Sequence, residues 1–402
     1  MDTLIKNCQL VNLKNESCEK VSIFVVDGKI HKIENSQTIN SDDFLTIDLN
    51  GKYILPGLWD VHTHIGDLIP DPDNLLETET LPEYTIRAGK NAIDGLKKGI
   101  TSLRIVGEDG DVCLAWKKMF KKKGFLGPDI YTARRAISAT GGHGHGTLGA
   151  YEIDGPYEMR KAVRENISKG ADLIKIMVSG GIMTENEGMQ DSQLTDDEII
   201  AAVELSSNKG LIVAAHAWST EGIKKALKCG VRSIEHGLLD DECVDLMLEK
   251  NAFYVPTICQ TQDTEKILES GLPQFMVDKA LSVKEIHLEG FKKAYKAGVK
   301  IACGSDSSPL KDFTHLELKH LKIAGMSTVD TLKSGTVIPA ELCGVSNEYG
   351  KIEENYVADI IVLNENPLNN LETVFDPLMV FKNGIQFNEQ QGLSSFEDIY
   401  LN

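Results

Sequence analysis

From Pro156 onward the chain repeats one unit: an amphipathic helix, a glycine able to end it, a short apolar run, then polar residues. In GPYEMRKAVRENISKGADLIKIMV, Pro156 suits the first helical position, Gly170 the position just past the helix, and 172–178 a buried strand. The next unit, LTDDEIIAAVELSSNKGLIVAAHA, opens with Thr195 and Glu198 in capping-box spacing, stops near Gly210 and continues as a strand over 211–216. TEGIKKALKCGVRSIEH, DECVDLMLEKNAFYVPT and SVKEIHLEGFKKAYKAGVKIACGSD follow the same scheme. Such alternation implies right-handed crossovers and a parallel sheet. Candidate strands fall at 54–61, 101–106, 130–137, 172–178, 211–216, 231–235, 253–256 and 300–304. That is the number which closes a (β/α)8 TIM barrel. A doubly wound open sheet is disfavoured, because no GxGxxG opens a helix after the first strand and no phosphate-binding Walker loop occurs.

The two ends read differently. Residues 1–54 and 350–402 carry short β-rich runs separated by turn residues, and neither end has enough apolar length to stand alone. They are expected to join as one small β-sandwich domain beside a barrel spanning 55–349. With 42 Lys and Arg against 60 Asp and Glu, the net charge of −18 leaves no basic field for nucleic acid or an anionic membrane. No run of eighteen apolar residues occurs, and polar residues interrupt the start before a secretory core could form. A cytoplasmic enzyme with a small-molecule substrate is the expectation. The eight cysteines are scattered singly and read as reduced, buried hydrophobes.

Histidine carries the chemistry. His62 and His64, in ILPGLWDVHTH, lie two apart on a strand, so their side chains share a face and can hold one cation. An isolated HxH is as readily a pair of hydrogen-bonded core or loop histidines. What changes its meaning is that His216, His236 and Asp306 each end a different expected strand, where a parallel barrel gathers its active site. Imidazole and carboxylate are ordinary ligands of Zn²⁺ and similar ions. Lys175, inside the apolar strand of ADLIKIMV, must be paired, neutralised or modified, since burying an isolated charge is very costly. A structural salt bridge and a carbamate made from CO₂ both answer that need.

PGLWDVHTH, Lys175 in ADLIKIMVSGG, His216 in VAAHA, His236 in SIEHG and Asp306 in ACGSD together resemble the amidohydrolase superfamily. ATGGHGH, SGGIMT and ADIIVLNENPL resemble its imidazolonepropionase-related branch, which includes zinc Xaa-Pro dipeptidases and arginine or lysine carboxypeptidases. The resemblance covers essentially the whole chain. It implies two divalent ions, with zinc the expected metal, and an N6-carboxylated Lys175. His62, His64 and Asp306 would bind the more buried ion and His216 and His236 the second, with the carboxylated lysine and a hydroxide bridging them. That hydroxide would attack a carbonyl, Asp306 would act as general base and then acid, and His143 would bind the carbonyl or oxyanion. His145 reads as a loop histidine.

The substrate side is less regular. Trp218 stands where the dipeptidase relatives commonly have Tyr or His, and indole offers one N–H donor and a large apolar face. Arg135 could meet an anionic end of the substrate or make an ordinary salt bridge. The expected reaction is cleavage of a C–N bond in a dipeptide or N-acyl amino acid by a homo-oligomeric enzyme. A cyclic amide hydrolase of the imidazolonepropionase type and a lactonase or phosphotriesterase are the alternatives, and a non-catalytic binding module is disfavoured because all the expected ligand positions are filled. Ala217-Trp218-Ser219 after His216 lacks the acid or amide that mononuclear deaminases carry.

Overall fold

The computed structural model describes residues 2–35, 44–67, 75–122, 125–145, 149–269 and 271–387. Residues 36–43 and 388–402, assigned from sequence to the small β domain, lie outside the described residues.

Parallel strands run in chain order as β1 (Leu58–Thr63), β2 (Ile100–Ile105), β3 (Asp129–Thr132, resuming at Ala136–Ala139) and β4 (Ile174–Met177). They continue as β5 (Val213–His216), β6 (Ser233–Glu235), β7 (Phe253–Val255) and β8 (Lys300–Ile301). Each pairs parallel with the next, with bulges between β1 and β2 at Leu58/Trp59 and Asp60/Thr63. The ring closes where Val61 N–H donates to the Cys303 carbonyl at 2.9 Å and Asp306 N–H to the His62 carbonyl at 2.7 Å. Helices cross between the strands, so the chain forms the expected (β/α)8 barrel. Every residue of β1 is buried, as befits a strand with helices on one side and the barrel interior on the other.

Local signals held where they depended on neighbours in sequence. The helix Gly155–Lys169 carries Pro156 in its first turn and ends at Gly170 with φ 104°, a left-handed value that glycine adopts without strain. Helix Asp196–Ser207 is capped by Thr195, whose N–H donates to Glu198 Oε2 at 2.8 Å. Strand limits that depended on distant partners differ. Tyr53–Pro56 pairs antiparallel with Ile360–Leu363, and the chain enters the barrel only after Gly57. A Cβ at Gly57 would sit 2.2 Å from Thr101 Oγ1, so only glycine passes there. The expected strand 130–137 is broken at Arg134, which takes φ 66°.

Strands from both chain ends form one eight-stranded sheet curled about its own apolar cluster, in which Ile5, Ile23, Ile54, Ile360 and Phe381 meet. Lys382, buried at the sheet's edge with the barrel, donates to Asp359 Oδ2 at 2.6 Å and to Asp129 Oδ2, at the start of β3, at 2.5 Å. No helix among the described residues is long and apolar enough to cross a membrane.

Candidate metal centre

Alternation along β1 brings His62 and His64 to the same side, as the spacing requires. Their Nε2 atoms lie 3.3 and 3.4 Å from Asp306 Oδ1, and one ligand atom from each of the three residues falls within 4.8 Å of the others. Two backbone features hold Asp306 there. It takes φ 52°, a strained value outside glycine, and Gly304 lets the end of β8 press against β1, since a Cβ at that position would meet His62 Cβ at 2.6 Å. Buried Asp60 ties the same two strands. It accepts from the His62 N–H at 3.1 Å, the Ser305 N–H at 3.1 Å, Ser305 Oγ at 2.6 Å and Thr314 Oγ1 at 2.7 Å.

The other nitrogen of each histidine is already engaged. His62 Nδ1 is 2.8 Å from Glu235 Oε2, and His64 Nδ1 is 2.7 Å from the Gly107 carbonyl. With Nδ1–H donating, Nε2 keeps the free lone pair a cation needs. Glu235 is itself buried and held by Arg104 in a two-pronged pair at 2.8 and 2.9 Å. Burial pushes that carboxyl up, but Arg104 and His62 outweigh it and hold it well below the usual range. Burial also works to lower His64, yet Asp306, Asp67 and Glu108 around it raise it to about 9, which marks a pocket that attracts positive charge.

His216 and His236 complete the wall. The His236 ring lies 4.9 Å from that of His62 and 4.6 Å from that of His216, and its Nδ1 is 3.8 Å from Asp306 Oδ2. His236 takes φ 67° as it turns in at the end of β6. Burial keeps both rings well below the ordinary histidine value, helped at His216 by the neighbouring His143, His236 and Lys175 and outweighing the opposing pull of Asp306 at His236, so both are neutral ligands. Lys175 is 1% exposed, and its Nζ has no hydrogen-bond partner among the described residues. Burial lowers it to about 8, with Glu235 and Asp306 working the other way. Four imidazoles, a carboxylate and an unsatisfied buried amine form a donor set that suits divalent cations.

His143 stacks on His216 with ring centroids 4.0 Å apart, and its Nδ1 is 2.5 Å from Glu187 Oε1. Trp218 is buried behind His236, stacked at 5.1 Å and 7°, and belongs to a small apolar cluster with Met189, Leu238 and Val283. Arg135 makes its contacts elsewhere: it donates to the Ala150 carbonyl and lies over the Tyr151 ring at 5.1 Å. His145 is exposed and paired with Glu152 at 2.7 Å. Sequence reasoning passed over Asp60, Arg104, Glu235 and Glu187. The first three are charged residues in apolar strands, the same signal that drew attention to Lys175. Glu187, in a polar loop, carries no such signal.

The amidohydrolase family profile matches residues 53–386. Ochratoxinase of Aspergillus niger is 31% identical over 357 residues, covering 81% of this chain and 73% of that protein. A solved Xaa-Pro dipeptidase with bound methionine superposes with a TM-score of 0.88 at 32% identity, over 96% of this chain and 100% of the other. A prolidase complexed with N-methylphosphonate-L-proline gives 0.88 at 29% identity, again over 96% and 100%. Taken with the donor set at the ends of the barrel strands, these matches show that the chain belongs to the amidohydrolase family and is a metal-dependent hydrolase of amide bonds.

Proposed function

We propose that the chain is a binuclear amide hydrolase that releases an amino acid from a dipeptide or an N-acyl amino acid, with zinc as its ion. His62, His64 and Asp306 would hold one ion and His216 and His236 the other, with Lys175 carboxylated on Nζ between them. The observation that carries this reading is the Lys175 amine, buried and without a hydrogen-bond partner among the described residues, with its pKa drawn down to about 8. A neutral amine is the form that combines with CO₂, and the carbamate replaces an unsatisfied cation with an anionic, two-oxygen ligand. Bound divalent cations would lower the pKa of a water molecule and polarise the scissile carbonyl.

Asp306 would accept the proton of the attacking water and return it to the leaving nitrogen, a role supported by its oxygens lying 3.3 Å from His62 Nε2 and 3.8 Å from His236 Nδ1. His143, with Nδ1 engaged by Glu187, offers Nε2 to the carbonyl oxygen as charge develops there. Trp218 narrows the pocket behind His236, and Arg135 shapes the rim after β3 through the 150–151 segment it holds. The similarity to proteins named Xaa-Pro dipeptidase and prolidase supports a C-terminal amino acid as leaving group. All eight cysteines are free thiols, which suits a cytoplasmic setting, and a homo-oligomer is the expected assembly.

A screen of zinc-loaded enzyme against L-Xaa-L-Xaa dipeptides, N-acyl amino acids, lactones and phosphotriesters tests the reading. Cleavage of a dipeptide or N-acyl amino acid with kcat/KM of about 10⁴ M⁻¹s⁻¹ or more is expected. Turnover confined to lactones or phosphotriesters would overturn it.

A further inference from the structure

The segment after β4 is long and acidic, yet it is built as a closed arm. Gly180 N–H donates to the Asp191 carbonyl at 3.0 Å and Gln193 N–H to the Val178 carbonyl at 2.9 Å, so both of its ends are fastened beside the strand. Inside the arm Glu187 turns toward the metal centre, with its side chain 8% exposed. Its Oε1 lies 2.5 Å from His143 Nδ1 and accepts from the Gly181 N–H at 2.9 Å, while Oε2 accepts from Gln193 Nε2 at 2.8 Å. Gln193 closes the circle by accepting from the backbone N–H of His143 at 2.8 Å. Gly181 is the packing partner of the imidazole: a Cβ there would meet His143 Cε1 at 2.3 Å. The ring also stacks on His216. Every freedom of the His143 side chain is therefore removed by the arm and by His216, and Nε2 is the ring atom left to the substrate.

The arm is in turn held from outside. Lys279, on helix Gln274–Ser282 of the segment between β7 and β8, donates to the carbonyls of Gly181 at 3.2 Å, Thr184 at 2.5 Å and Glu187 at 2.7 Å. An ammonium has three N–H donors, and one arm takes all of them.

We propose that Glu187 is a positioning residue that fixes the His143 imidazole with Nδ1 engaged and Nε2 facing the substrate carbonyl, and that Lys279 locks the arm carrying it to the 274–282 helix. The arm is a fixed support and not a lid. The kinetic part of this inference rests on the role given to His143 above; the structural part does not.

Two substrate-free measurements and one kinetic series test it. Nitrogen-edited NMR of the imidazole N–H groups is expected to show a hydrogen-bonded His143 Nδ1–H that Glu187→Ala removes and Glu187→Gln, whose amide oxygen still accepts, retains. Protease cleavage within 181–193 should quicken about tenfold in Lys279→Met and stay slow in Lys279→Arg. On the dipeptide or N-acyl amino acid that the wild type cleaves, Glu187→Ala should lower kcat about 30-fold with KM within about threefold, and Glu187→Gln should recover much of the loss. In a His143→Ala background Glu187→Ala should cost nothing further. Persistence of the Nδ1–H signal in Glu187→Ala, its full kinetic cost repeated without His143, or unchanged proteolysis of Lys279→Met would each overturn the proposal. Absence of any turnover counts against the function proposed above, while the NMR and proteolysis results still decide the positioning.

Discussion

Lys175 is the residue whose burial is hardest to explain without a ligand. Its folded pKa of about 8 lies below the ordinary 10.5, so between those values the unfolded chain binds the proton that the folded chain has lost. Stability of the metal-free protein should therefore rise with pH across that window, and the cost, about 3 kcal/mol, is complete below pH 8. Metal-free Lys175→Met is expected to be more stable than wild type at pH 7 in urea unfolding, with the advantage shrinking toward pH 10.5; a pH-independent difference would refute the assignment. If Asp306 has the proposed roles, Asp306→Asn keeps an oxygen for the metal but removes the proton carrier, so it should retain most bound metal while kcat falls about 100-fold or more. Metal analysis alongside steady-state kinetics separates the two effects. The candidate ligands were legible because imidazoles and a lysine stand out at the ends of apolar runs. Glu187 was not, because an acid in a polar loop is ordinary until the loop folds back on His143.

At the level of strands, the barrel interior is wired by one polar chain: Arg104 on β2 pairs with Glu235 on β6, which orients His62 on β1. Arg104 Nε also donates to the Val61 carbonyl at 2.5 Å. Arg104→Met would leave the buried Glu235 carboxylate without its guanidinium countercharge, so a loss of about 3–5 kcal/mol is expected, with Arg104→Met/Glu235→Met recovering most of it. Denaturant midpoints of the two variants check this, and a single-variant cost under about 1 kcal/mol would contradict it. Helix starts and stops could be read locally, as at Thr195 and Gly170. The limits of the expected strands 54–61 and 130–137 could not, since residues 53–56 find their partner at 360–363 and the break at Arg134 is set by the strands on either side.

Over the whole molecule, a closed barrel is accompanied by a sheet drawn from both chain ends. What sequence did not show was how the two are joined. Lys382 is buried between Asp129 at the base of β3 and Asp359 in the end sheet, away from the strand ends that carry the histidines. Lys382→Met should lower the unfolding free energy by about 3 kcal/mol by removing the cation that neutralises buried Asp359 and part-buried Asp129, yet leave kcat/KM at 25 °C within about twofold. A large kinetic effect with no loss of stability would contradict that separation of support from chemistry. The metal-bridging role proposed for Lys175 is tested most directly by loading the protein with zinc and ¹³C-bicarbonate and measuring both metal content and the carbon spectrum. About two zinc ions per chain and a carbamate resonance that disappears in Lys175→Ala are expected. An enzyme that cleaves its amide substrate while showing no carbamate, or while holding one zinc or fewer per chain, would contradict it.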